Sequence, residues 1–455
     1  MTHDGKAFDP MTDHARRGLD RRRFLLAGGG AALGAGALLP GLLRAAPARG
    51  AVVPLPPALP PAIQTLHLGA TDGWVSLSEL PDGFQGAGYD FPDPLAPTGY
   101  TTYVFGFRNG TGLTTTNFNN LKGKAQISAP ILYFDEWTKA KNNPVRITLT
   151  NLGLKVRPDL VDGHTIHWHG FRNANPWFDG VPEMSISVPI GRDFTYYYQP
   201  RDPGTYMYHC HFEDVEHVQM GMTGVLYVRP RQNGSVFAGY NKFAYNDGDG
   251  STGYDREFAF ILSEMWLESH YKDAHIQQPQ WDQYKADAWM MNGRCYPDTV
   301  LPAGSYSPTL GTPVAVAGLP SRLSYQPITS LVKCNGGDRV LLRLANLGYQ
   351  EHAMTTPGLR LTVVGRDATQ LTNGANHIYF DTSVLEIGPG ESFDALFTAP
   401  AYTPGAGDPP YQTYLFYDRS YSTANNRDHR GLGGQRTEIR VYPAGTLPVQ
   451  TAPNT

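Results

Sequence analysis

Gly204-Thr-Tyr-Met-Tyr-His209-Cys210-His211-Phe-Glu-Asp-Val-Glu-His217-Val-Gln-Met-Gly-Met222-Thr-Gly-Val225 is the stretch on which the reading of this chain turns. Tyr206, Met207 and Tyr208 lead into the His-Cys-His triplet with the aromatic and apolar character of a strand. Successive side chains of a strand point to opposite faces, so His209 and His211 share one face and Cys210 takes the other. One tripeptide then serves two metal sites, joined through the backbone of Cys210. A thiolate, two imidazoles and a weak axial thioether make up a blue-copper electron-transfer site. Cys210, His217 and Met222 supply that set except for one imidazole.

The missing imidazole lies upstream, in His164-Thr-Ile-His167-Trp-His169-Gly170. His167 and His169 share one face of an extended segment, and His164 stands apart as the fourth copper ligand. Six of the 14 histidines fall in these two windows, around one of the 3 cysteines. Scattered structural histidines would not arrange themselves so. Zinc remains an alternative, since a His-x-His pair with a cysteine suits it too; the methionine that follows His217 favours copper.

These two windows resemble the copper-binding motifs of the last domain of multicopper oxidases, the laccase-like cupredoxin family. The resemblance implies that His164, Cys210, His217 and Met222 are type 1 copper ligands. It implies that His167, His169, His209 and His211 are one half of the ligand set of a trinuclear cluster (type 2 and type 3 copper) that reduces dioxygen. Asp179, in Asp-Gly-Val-Pro ten residues beyond His169, matches the acidic residue that follows this motif in the family and would supply protons; an ordinary turn aspartate is the alternative. One departure is the interval from His211 to His217, longer than the family's usual three intervening residues. Within it Glu213, Asp214 and Glu216 form an acidic loop, either simply solvated or facing a cationic reductant.

Composition sets the frame. A chain of 455 residues accommodates two or three domains, and a net charge of -4 with 17% charged residues points to no nucleic-acid partner. Abundant glycine (50), proline (37) and tyrosine (26) favour turn-rich β architecture over long helices. Arg21-Arg22-Arg23-Phe24-Leu25-Leu26 resembles a twin-arginine export motif, and an apolar run rich in Gly, Ala and Leu follows to Leu43. Residues 1–48 are therefore expected to be a signal peptide cleaved after Ala46-Pro47-Ala48, or at Ala51, with an uncleaved membrane anchor as the alternative. Such a route leads to the periplasm or beyond the cell, leaving no membrane span after processing. In an oxidising destination Cys295 and Cys334 form an even pair, so a disulfide is expected there, against two buried thiols.

The fold expected is all-β, two tandem cupredoxin-like Greek-key β-sandwich domains after the export signal. Strand-like runs at Thr101–Arg108, Ala129–Phe134, Pro144–Leu149, Ser185–Pro189, Phe194–Gln199 and Gly224–Arg229 place a copper-binding domain at 52–232. Residues 233–254 read as a polar linker, in which Asn246-Asp-Gly-Asp-Gly is a turn that only faintly resembles a calcium loop. From 255 to 443 the pattern returns as a worn copy of the first domain. His352 and Gly358 persist from the first motif, but Thr355 and Pro357 stand at the cluster positions. Tyr417, Asp418 and Arg419 replace His-Cys-His, and Gly431-Leu432 echoes Gly221-Met222.

Taken together, the resemblance implies an exported copper oxidase. It would draw single electrons from a phenol, an aromatic amine or a metal ion and pass them through Cys210, His209 and His211 to the cluster. A full cluster in this family takes twice the histidines this chain offers. A homo-oligomer sharing one cluster between two copies of the first domain would complete it. A nitrite reductase-like enzyme, and a blue-copper electron carrier with an incomplete cluster, remain open as other classes.

Overall fold

In the computed structural model, residues 64–77, 85–86, 89–172, 175–424 and 433–455 are described. The first half is built from β1 (Thr65–Val75), β2 (Thr102–Asn109), β3 (Leu132–Asp135), β4 (Val145–Asn151), β5 (His167–His169), β6 (Asp193–Tyr198), β7 (Gly204–His209), the short helix α1 (Asp214–Gln219) and β8 (Thr223–Arg229). Two four-stranded sheets, in the orders β2-β1-β4-β6 and β3-β8-β7-β5, face each other as a sandwich. Between them lie Leu68, Phe105, Phe107, Phe134, Trp168, Tyr208 and Cys210, in one apolar core.

Four of the strand runs expected from sequence coincide with β2, β4, β6 and β8 to within a residue or two, and a fifth overlaps β3. Ser185–Pro189 does not form a strand. It makes a single bridge, between Val188 and His164.

Strand β1, central to its sheet, was not expected at all. Its sequence, TLHLGATDGWV, contains the residues that usually mark turns. The packing explains them. A Cβ at Gly73 would lie 2.7 Å from the backbone N of Ala125, and one at Gly69 would lie 2.8 Å from Leu152 Cδ1. Buried Asp72 accepts from the Tyr103 hydroxyl at 2.9 Å and from the amides of Lys155 and Val156 at 2.8 and 2.7 Å. Close backbone approach and a satisfied buried carboxylate outweigh strand propensity here.

The second half repeats the plan. Its elements are β9 (Arg256–Met265), α2 (Leu267–Ala274), β10 (Ala288–Met291), β11 (Val332–Asn335), β12 (Arg339–Asn346), β13 (His352–Thr355), β14 (Leu361–Arg366), β15 (Val384–Ile387), β16 (Ser392–Thr398), β17 (Gln412–Asp418) and β18 (Arg436–Tyr442). Strand β9 pairs antiparallel with β10 and parallel with β12, as β1 does with β2 and β4. Likewise β11 runs parallel to β18, as β3 does to β8. The register is the same at the motifs: His167 opposes His209 in the first half, and Thr355 opposes Tyr417 in the second.

The connecting stretch 233–254 folds back instead of spanning open space. Phe243, Ala244, Tyr245 and Tyr254 are buried, and the Tyr245 hydroxyl donates to Asp394 at 2.6 Å. Asp247 accepts from the amides of Gly250 and Thr252, which makes Asn246–Gly250 a closed turn. The two halves meet where Met207, Val225 and Tyr227 pack against Ala259, Ile261 and Ala345. Beside that contact, buried Arg343 bridges Glu257 and Asp394 at 3.1 and 3.2 Å, with its guanidinium over the Tyr227 ring.

The expected disulfide is absent. Cys295 and Cys334 are not bonded to each other but lie buried in separate apolar clusters, and burial pushes both thiols up. No helix among the described residues is long and apolar enough to cross a membrane. The export signal and Gly431-Leu432 lie outside the described residues.

Candidate metal centre

Strand β7 sorts its side chains by alternation. Tyr206, Tyr208 and Cys210 enter the core of the first half, while Thr205 and Met207 turn toward the second. At the end of this strand the Cys210 sulfur is fully buried. His217 Nδ1 lies 3.2 Å from Cys210 Sγ and His164 Nδ1 lies 3.8 Å from it. The donor atoms of all three lie within 4.8 Å of one another. Thr165 adds its backbone N–H, donated to the sulfur at 3.4 Å. His164 is held from behind by the paired amides and carbonyls it shares with Val188.

The long interval between His211 and His217 is taken up by α1. Glu213 adopts a left-handed conformation (φ 46°), the chain turns into the six-residue helix, and His217 is carried back onto the thiolate side. The longer interval still leaves His217 Nδ1 against the Cys210 sulfur. Met222 is buried beyond it. Its N–H donates to the His217 carbonyl at 2.9 Å, and the Cys210 N–H donates to the Met222 carbonyl at 3.2 Å. Gly221 permits this turn at φ 112°; a Cβ there would lie 2.4 Å from Ile127 Cδ1 and 3.0 Å from the Phe105 carbonyl oxygen. Gly221→Ala is therefore expected to cost about 1–3 kcal/mol, read as a lowered thermal midpoint, and to disturb the copper spectrum through displaced Met222.

Charge follows the same geometry. Burial pushes the Cys210 thiol up, but the imidazoles of His217 and His164 outweigh it and hold the group well below the ordinary thiol range. Burial works against a charged His217 too, yet Cys210 and Asp162 raise it to about 10. Asp162 Oδ2 lies 4.0 Å from His217 Nε2, a neighbour that the motif reading missed because nothing but its place just before His164 marks it. The acidic loop divides: Glu213 and Asp214 are exposed, whereas Glu216 is half-buried.

On the opposite side of the tripeptide, four imidazoles converge. His167 lies 5.1 Å from His211, 5.3 Å from His209 and 5.6 Å from His169 between ring centroids, and His209 and His211 are 5.4 Å apart. Burial lowers His167 and His169, and pushes His209 down to about 3, so these rings are neutral, the form that binds metal. Two tautomers are set by carbonyls. His167 Nδ1 donates to the Asp179 carbonyl at 2.6 Å and His209 Nδ1 to the Cys210 carbonyl at 2.8 Å, leaving each Nε2 free as a ligand. Buried His169 Nδ1 has no hydrogen-bond partner among the described residues.

Asp179 thus touches the quartet through its backbone, and its carboxylate Oδ1 is 3.7 Å from the same His167 nitrogen. Gly180 makes the close approach possible: at φ 78°, a Cβ would fall 2.1 Å from the Ile166 carbonyl oxygen. From the second half, Gly390 abuts His169, where a Cβ would come within 3.2 Å of the ring.

At the equivalent place in the second half there is an ion pair. His352 Nδ1 lies 2.7 Å from Asp418 Oδ2 and its Nε2 lies 3.6 Å from Glu264 Oε2, all three side chains wholly buried. Asp418 occupies the position of Cys210. Glu264, far from both motif windows in sequence, could not have been read as its neighbour.

Profiles described as multicopper oxidase match residues 142–233 and 257–427. The chain belongs to the multicopper oxidase family. Members of this family use type 1, type 2 and type 3 copper, and the buried thiolate, the imidazole pairs and the orphaned His169 nitrogen fit that requirement. Among curated relatives, Laccase-12 of Arabidopsis thaliana is 29% identical over 269 residues, 58% of this chain and 38% of that protein. An L-ascorbate oxidase of Brassica rapa subsp. pekinensis is 26% identical over 305 residues, 65% of this chain and 46% of that protein. The chain therefore spans less than half the length of these relatives. The blue copper oxidase of Nitrosomonas europaea superposes with a TM-score of 0.55 at 21% identity, covering 83% of this chain and 85% of that one. This likeness establishes the cupredoxin-like fold.

Proposed function

We propose that this chain is an exported, laccase-like copper oxidase that oxidises phenols, aromatic amines or low-valent metal ions and reduces dioxygen to water. The observation that carries the reading is the tripeptide His209-Cys210-His211. It offers a buried sulfur to His164 and His217 on one side and two imidazoles to His167 and His169 on the other. Bound copper would supply single-electron uptake from the reductant and multi-electron reduction of dioxygen. Cys210, His164, His217 and Met222 would hold the type 1 ion, and the four converging imidazoles half of the cluster.

The chain's own groups do the rest. The Thr165 N–H stabilises the thiolate, and the apolar core around it excludes water. Carbonyls of Asp179 and Cys210 fix the His167 and His209 tautomers. The Asp179 carboxylate, beside His167, is our candidate for holding a proton near the cluster. A twin-arginine route would deliver the protein folded.

The second half brings no His-x-His pair, so the missing imidazoles come from a second copy of the first half in this reading. Two copies about a two-fold axis would share one cluster and carry two type 1 coppers, an isologous contact. Copper counted per chain, alongside the mass of the assembly, tests this. We expect dissociation to release cluster copper while the blue sites persist. A monomer with full oxidase activity would defeat the shared cluster. One blue copper per chain with no dioxygen uptake would favour an electron carrier.

A further inference from the structure

The helix that returns His217 to the sulfur is too short to hold itself. α1 has six residues and no side-chain cap at its N-terminus, and isolated helices of that length are unstable in water. Its own half supplies the Phe105 N–H, donated to the Met220 carbonyl at 2.9 Å. The second half supplies the other anchors. The Tyr349 hydroxyl donates to the Val215 carbonyl. Buried Gln219 accepts from the Trp266 N–H and donates its amide to the Glu264 carbonyl at 3.2 Å. The Glu264 carboxylate accepts in turn from the Tyr349 amide and, at 3.1 Å, from the Tyr284 hydroxyl. Its other oxygen faces His352, which is locked to Asp418.

A continuous polar run therefore leads from the second half's ion pair to two residues, Val215 and Gln219, that bracket His217. Glu264 Oε2 has no hydrogen-bond partner among the described residues and meets His352 only as an ion pair at 3.6 Å; the other polar groups of the run are hydrogen-bonded, and such networks have few alternative arrangements. We propose that Tyr349, Gln219 and Glu264 are positioning residues for the type 1 site. The second half, with an ion pair where its repeat would hold copper, sets the His217 imidazole against Cys210. The inference rests on the reading of Cys210, His164 and His217 as copper ligands. Its physical content is that ligand geometry at copper is imposed by the groups behind the ligands. Loosening α1 then changes the metal site before it changes the fold.

Copper-loaded Tyr349→Phe removes one hydroxyl donor and keeps the ring against Tyr284; Gln219→Met removes both polar ends at similar volume. Both should show a shifted blue band, altered copper hyperfine splitting and roughly tenfold faster copper loss to a chelator. Gln219→Glu, which keeps the acceptor for the Trp266 N–H, should recover part of the effect. Ser392→Ala breaks a different bond between the halves, from Ser392 Oγ to the Thr205 carbonyl at 2.7 Å, and should match wild type. Wild-type spectra and copper loss in Tyr349→Phe and Gln219→Met would overturn the proposal, as would an equal change in Ser392→Ala. A wild-type protein that binds copper without a blue band would overturn the copper reading and this proposal with it.

Discussion

Cys210→Ser should abolish the blue band and reduce dioxygen uptake to background while leaving the sandwich folded. In the proposed type 1 site the thiolate would be the ligand whose charge transfer to copper gives the colour, and a serine hydroxyl neither ionises at neutral pH nor couples strongly to the metal. The fold should hold because the two side chains are nearly the same size. A serine oxygen can also accept the Thr165 N–H that the sulfur now accepts, and can pair with His164 or His217. The packing change inside this core should cost about 1 kcal/mol, a typical point-mutant effect. Absorption, copper per chain and dioxygen uptake on the same preparation separate the two halves of the prediction. Retention of the blue band would reject Cys210 as the type 1 ligand. Loss of all copper with an intact fold would show that the four-imidazole face cannot retain metal without the type 1 site beside it.

What could be read in advance followed from local rules. Alternation along β7 fixed which way Cys210 and His209 face, because a strand's side-chain period leaves no choice. The worn second motif was legible because Thr355 and Tyr417 keep the register of His167 and His209. What escaped were features made by contacts far apart in sequence. Strand β1 was hidden by glycines that Ala125 and Leu152 require. The interval before His217 read as a departure, since the groups that touch α1, at Phe105, Glu264, Trp266 and Tyr349, are remote from it in sequence. The cysteine pair was inferred from compartment and parity, neither of which measures distance; each thiol proved to be buried in a cluster of its own. Glu264 carried no signal at all, because its neighbours His352, Tyr349, Tyr284 and Gln219 are all distant from it in sequence.

The largest stability effect is expected at that buried ion pair. His352→Leu removes the imidazole and leaves Asp418 and Glu264 as carboxylates without their cation, both wholly buried. Stripping one partner from such a pair costs about 3–5 kcal/mol, a large part of the roughly 5–15 kcal/mol that holds a domain together. Asp418 keeps the amides of Ala353 and Ser420, and Glu264 keeps Tyr284, so the variant should fold, but weakly. The pH dependence identifies the cause. Burial lowers His352, but Asp418 and Glu264 outweigh it and raise its pKa from 6.5 to about 9. A raised pKa means the folded state binds the proton more tightly, so the contribution is complete below 6.5 and is lost as pH climbs through about 9. Burial pushes Asp418 up, but His352 and the Ser420 amide bring it below the ordinary carboxylate value, so its contribution is lost only as the solution becomes acidic. Wild-type protein should therefore lose stability on the alkaline side, and His352→Leu, lacking the titrating group, should not show that step. Copper per chain should be unchanged, because Thr355 and Pro357 stand where cluster ligands would be. Denaturant unfolding of both proteins across this pH range, with copper assayed on the same samples, is the measurement. An unaltered alkaline step would show that another group produces it, and the loss of one copper per chain would show that His352 serves a metal and not an ion pair.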